Sequence, residues 1–188
     1  MVVGAGGLAH LTPVRVTMGR LAAGARGTVT IAAVASAAVG TVPPLSWGWV
    51  APVLIALVAW TSVYVRVAWT VGMRPWVAFV DLAFGAFICL NIGHLVPAAA
   101  LQGSSWVSNV ASMIVVWAQV TGSPAIYVPS GLAVAATFVA GCQIAHMPNG
   151  LSYSITMATQ VIAGAAVMQI AVRAGRVASR TFDELQGA

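Results

Sequence analysis

Lysine is absent from this 188-residue chain, and ahead of its C-terminal tail there is a single acid, Asp81. Only 6% of the residues are charged, 60% are hydrophobic, and the mean hydropathy is +0.96. A soluble domain needs more polar surface than this, so lipid is implied as the solvent for most of the chain. Cysteine is scarce as well. Cys89 and Cys142 both lie inside apolar runs, which excludes a disulfide framework of the secreted kind. A phosphate-binding GK[ST] loop, a GxSxG elbow, HExxH and clustered carboxylates are all missing, so no catalytic motif marks these residues. The net charge of +5 and the pI near 10.3 come from arginines scattered between apolar runs. They form no basic patch, which excludes nucleic acid as a partner. An all-arginine basic set is also what a GC-rich bacterial genome produces.

What the chain does have is apolar runs. A bilayer core about 30 Å thick takes roughly 20 helical residues, fewer where interfacial residues finish the span. Residues 28–42, 49–65, 76–95, 127–145 and 153–172 qualify readily. A sixth run, residues 106–120, reads "WVSNVASMIVVWAQV"; with Ser108, Asn109, Ser112 and Gln119 inside it, hydropathy alone leaves it open. Arginine placement resolves it, because basic residues beside helix ends stay on the cytoplasmic side. With six spans, Arg15, Arg20 and Arg26 precede the first, Arg66 and Arg74 join the second to the third, and Arg173, Arg176 and Arg180 follow the sixth. All then face one side; five spans would strand the last three outside.

The expected fold is therefore all-α: a polytopic bundle of six transmembrane helices in a bacterial plasma membrane, with both termini cytoplasmic. Residues 1–27 form a cytoplasmic N-terminal segment, 28–172 the membrane domain and 173–188 a cytoplasmic exit helix. The first run with its basic flank also resembles a signal peptide with a cleavage site near Ala37, although an uncleaved helix is the more economical reading. Trp and Tyr fall at the expected headgroup levels. Trp60 alone sits mid-span.

Asp81 lies about two turns inside the third span. An intramembrane carboxylate is a proton site or the partner of an arginine. No further ionisable group is expected at that depth, so a structural pairing with Arg66 or Arg74, fixing the second span against the third, is the favoured reading. A second feature is an echo: "CLNIGH" closes the third span and "CQIAH" the fifth, two helices expected to run the same way. If they touch, Cys89, His94, Cys142 and His146 converge. A tetrahedral metal, a redox-sensitive thiol pair, or a haem iron held between the two histidines are the chemistries open to such a set. The plain alternative is cysteines filling core and histidines finishing helices; no motif spacing outweighs it, so no cofactor is predicted. His10 is placed by nothing in the sequence.

Past Val172 the chain carries no Gly-Pro punctuation, so the sixth helix is expected to continue outward with Arg173, Arg176 and Arg180 on one stripe. Ala174, Ala178, Thr181 and Leu185 follow the spacing of a coiled-coil seam, which makes a homodimer one candidate assembly. Three stretches then carry a resemblance: "YVRVAW…GMRPWVAFVDLAFGA", "SSWVSNVASMIVVWAQVTGSPAIYVPSG" and "IAVRAGRVASRTFDELQ". Together they resemble the N-terminal transmembrane sensor region of actinobacterial sensor histidine kinases of two-component systems. The resemblance implies a membrane-embedded signal-input module that passes a bundle rearrangement through its sixth helix to a cytoplasmic partner or a separate domain. The phospho-accepting His and the ATP-binding boxes of that family have no counterpart here, so kinase activity is carried over to no residue. The alternatives are a small accessory subunit of a larger membrane protein complex, or a haem- or metal-binding redox protein.

Overall fold

The computed structural model describes residues 11–40, 47–72, 74–97, 105–118, 124–147 and 150–186. His10 and Gln119 fall outside them. Among the described residues the secondary structure is all helical: α1 (Leu11–Gly40), α2 (Trp47–Thr70), α3 (Pro75–Leu90), the single turn α4 (Ile92–Leu95), α5 (Trp106–Ala118), α6 (Pro124–Ile144) and α7 (Gly150–Gln186). Over its described residues each of the six apolar runs is mainly helical, but two boundaries differ from expectation. α1 begins at Leu11, so Arg15, Arg20 and Arg26 are inside a helix rather than ahead of it. The third run is broken at Asn91, whose backbone N–H and side-chain amide both donate to the Phe87 carbonyl, at 3.2 and 2.9 Å.

Local chemistry sets the helix ends. Gly72 has a φ of 79°, a left-handed conformation that glycine adopts without a Cβ clash, and it stops α2. Arg74 is extended, as a residue before proline should be, and Pro75 opens α3 where its missing N–H is not needed. Ser105 caps α5: its Oγ accepts the Ser108 N–H at 3.1 Å.

α1 packs along α2, α3 along α6, and α6 along α7, while α5 touches α1, α3, α6 and α7. The run that hydropathy left open is thus the helix at the centre. Trp106, Val107, Val110, Ala111, Ile114 and Val115 are buried there. Ser108 is buried against the neighbouring helices, where its hydroxyl donates to the Ser105 carbonyl at 2.8 Å, while Asn109 and Ser112 line a cleft between α1, α5 and α7. Two buried polar contacts tie helices across the bundle: Thr30 of α1 with Thr61 of α2 at 2.9 Å, and Ser154 of α7 donating to the Ala135 carbonyl of α6 at 3.0 Å.

The outer faces are apolar instead of charged. Ile31 is 73% exposed, Ile55 69% and Ile144 72%, joined by Ile155, Ile162 and Ile170 along α7. Faces of this kind would drive aggregation in water, and they suit lipid. The segments Gly19–Val39, Trp47–Thr70 and Tyr127–Ile144 are each long and apolar enough to cross a membrane; Pro75–Leu90, Trp106–Ala118 and Leu151–Val167 are shorter apolar helices. Length, composition and apolar outer faces together mark a membrane protein.

Candidate functional site

Three helices converge on Asp81. It occupies the second turn of α3 and is buried. Its cation is Arg26 of α1, whose Nη2 lies 2.7 Å from Asp81 Oδ1, with the two side chains only 1% and 4% exposed. The same oxygen accepts the Trp60 Nε1–H from α2 at 2.9 Å. One turn further along α2, the Tyr64 ring lies under the Arg26 guanidinium, 5.6 Å from its centroid. Trp60 is held edge-on to Trp76 at 6.3 Å, which orients its N–H.

The expected partners of Asp81 are therefore replaced. Arg66 and Arg74 are exposed, at the outer surface of α2 and just ahead of α3. Arg26 takes the position because α1 runs well below it. Arg20, six residues earlier and roughly 9 Å lower on a helix rising 1.5 Å per residue, stacks over Trp69 near the end of α2, 5.5 Å from the ring centroid. Arg20 is exposed, whereas Arg26 is carried into the interior beside Trp60 and Tyr64. The pair is Coulombic and not a two-pronged fork: Nη2 is close to the carboxylate without an N–H aligned on it, and Nε and Nη1 have no hydrogen-bond partner either. In a low-dielectric interior such a pair is held by mutual attraction, and removing one member leaves the other unsupported.

The thiols do come together. Gly141 lets α6 press against the backbone of α3 so closely that a Cβ there would collide with the Cys89 carbonyl, and Cys142 is the next residue. Cys89 and Cys142 are near enough to interact electrostatically; both are buried and both are free thiols. Each histidine makes a contact of its own. His94 stacks on Trp49 of α2, with centroids 5.2 Å apart and planes within 20°. His146 ends α6 in a left-handed conformation, φ 53°. Its N–H returns to the Gln143 carbonyl at 3.1 Å and that of Met147 to the Cys142 carbonyl at 2.8 Å, the paired bonds of a Schellman cap. Among the described residues, no three His, Cys, Asp or Glu side chains are grouped so as to hold a metal ion.

The exit helix is continuous. α7 runs 37 residues from Gly150 to Gln186 without a break, taking Arg173, Arg176 and Arg180 with it. At 1.5 Å per residue that is about 55 Å, against a bilayer core of about 30 Å. In comparisons with protein-family models, curated proteins and solved structures, nothing matches this chain.

Proposed function

We propose that this chain is a multi-pass membrane signal-input module, with six spans, both termini in the cytoplasm and α7 as its output. The observation that carries the reading is the unbroken course of α7, from a face packed on α5 and α6 to an arginine-bearing end beyond any bilayer core. A rigid helix with one end in a packed bundle transmits a small shift or rotation along its whole length. The Arg26–Asp81–Trp60 cluster suits such a device, because it locks α1, α2 and α3 into a fixed frame. Against that frame, with α5 and α6 packed on it, α7 can move. Input is then a change in how α7 packs, and output is the position of Arg173 to Gln186 relative to a cytoplasmic partner.

The test is genetic. In a bacterium deleted for the gene, the transcript profile should change and be restored by the full chain, but not by a chain ending at Val172 that inserts in equal amount. Full restoration by the shortened chain would dismiss the reading.

A further inference from the structure

Three arginines that the sequence scatters are gathered by the fold. Gly19 of α1 lies against the end of α2, so closely that a Cβ there would come within 2.7 Å of the Ala68 carbonyl oxygen and 3.3 Å of the Gly72 Cα. A side chain at that point would hold the helices apart. Arg20 follows Gly19, and its guanidinium sits over the Trp69 ring, 5.5 Å from the centroid. Arg66 precedes Trp69 by three residues on α2, so the two are neighbours on that helix surface. Arg74 follows Gly72 by two residues, in extended backbone just ahead of α3. All three arginines are exposed, and among the described residues none of them is in an ion pair. Nothing nearby offsets their charge. The first 80 residues hold no acid, Asp81 is paired with Arg26, and Asp183 and Glu184 belong to α7, which packs on α5 and α6. Around the arginines the surface is apolar: Leu21, Trp69, Val71 and Trp76 are each about half exposed.

From this arrangement we infer that Arg20, Arg66 and Arg74 form a docking surface for the headgroup of an anionic phospholipid, whose acyl chains lie on the neighbouring apolar side chains. Guanidinium groups recognise phosphodiester oxygens through charge-assisted hydrogen bonds. Exposed indoles settle at the headgroup level, where such a phosphate resides. A nucleic acid or an acidic peptide would satisfy the arginines and leave Trp69 and Trp76 uncovered, and so would a free phosphate. Only a molecule with an anionic head and apolar chains matches both parts of the surface. The inference rests on the membrane reading, with the link between α2 and α3 at the cytoplasmic headgroup level. One headgroup bridging Arg20 and Arg74 joins α1 to the start of α3 at the surface, below the buried pair of Arg26 and Asp81. The first three helices are then clamped twice, once by protein and once by lipid.

The test is competitive lipid binding. The full chain, purified in an uncharged detergent, is offered equal amounts of phosphatidylglycerol and phosphatidylcholine with matched acyl chains, and native mass spectrometry counts what stays bound. Phosphatidylglycerol should be retained about tenfold or more over phosphatidylcholine. Arg20→Gln, Arg66→Gln and Arg74→Gln should each lower its affinity about fivefold, the effect of one basic residue at an anionic surface. Arg173→Gln, at an exposed arginine of α7, should leave it unchanged. All four side chains are exposed, so the fold tolerates the changes. Equal retention of the two lipids, or full retention of phosphatidylglycerol in any of the first three variants, would overturn the inference. So would an equal loss in Arg173→Gln, which would report net charge alone. Displacement of the lipid by millimolar inorganic phosphate, but not by sodium chloride of equal ionic strength, would make this a site for free phosphate and overturn it as well. The assay needs no signalling output, so a failure here is separable from failure of the truncation test.

Discussion

Arg26 of α1 and Asp81 of α3 meet at 2.7 Å in the interior of the bundle, and Trp60 of α2 bonds the same carboxylate oxygen. The first three helices thus share one buried electrostatic joint.

Removing either charge leaves the other buried and unpaired. Arg26→Met and Asp81→Asn should each lower stability by about 3–5 kcal/mol, and the double variant should lose markedly less than their sum. Unfolding in mixed micelles with increasing SDS measures it. Additive losses would mean that the two groups do not act as a pair.

Trp60→Phe keeps a ring beside Trp76 but deletes the N–H given to Asp81. A hydrogen bond to an ionised group is worth about 1.5–3 kcal/mol. Trp47→Phe, at an exposed ring opening α2, should change stability by less than about 0.5 kcal/mol in the same assay. Equal effects would deny Trp60 its role at the joint.

Glycines at two places should respond oppositely to alanine. At Gly141 the added methyl meets the Cys89 carbonyl, so Gly141→Ala should destabilise by about 1–3 kcal/mol. At Gly24, inside α1, nothing lies within 4 Å of the new Cβ. Gly24→Ala should stabilise by about 0.5–1 kcal/mol through helix propensity alone. Thermal unfolding of the two variants compares them directly.

His146 holds a left-handed backbone conformation that penalises any side chain by roughly 1–2 kcal/mol relative to glycine. His146→Gly should therefore raise the melting temperature. A loss of stability would show that the imidazole makes a contact outweighing the backbone strain.

The proposed topology is read by labelling. With Cys89 and Cys142 buried, background reaction is low. Arg20→Cys and Arg176→Cys should react with a membrane-impermeant maleimide only when the cytoplasmic side is opened. Labelling of the two from opposite sides would remove α7 as an output.

The helices were legible because apolar runs of sufficient length have few other fates, and α5 was ambiguous for a physical reason: Asn109 and Ser112 line an open cleft between helices, where polar groups interrupt the apolar run. Asp81 was legible as a buried charge, since a lone carboxylate in an apolar run must find a cation. Its partner was not. Arg26 beside an apolar run reads as a cytoplasmic flank, and only the extension of α1 back to Leu11 carries it inside. One signal did point there: Trp60, which the sequence alone sets mid-span, is the carboxylate's donor. The Cys and His echo correctly brought two helices together at Gly141. Among the described residues His94 stacks on Trp49, His146 closes the cap of α6, and no three of the four residues are grouped as metal ligands.

The joint between α1 and α3 also bears on how the chain is made. Arg26 emerges from the ribosome long before Asp81. Until then its guanidinium has no counter-ion, and a lone arginine at depth opposes transfer of α1 from the translocon into lipid. On the proposed topology, the N-terminal helix is then expected to enter lipid only together with the third, once Asp81 can neutralise Arg26.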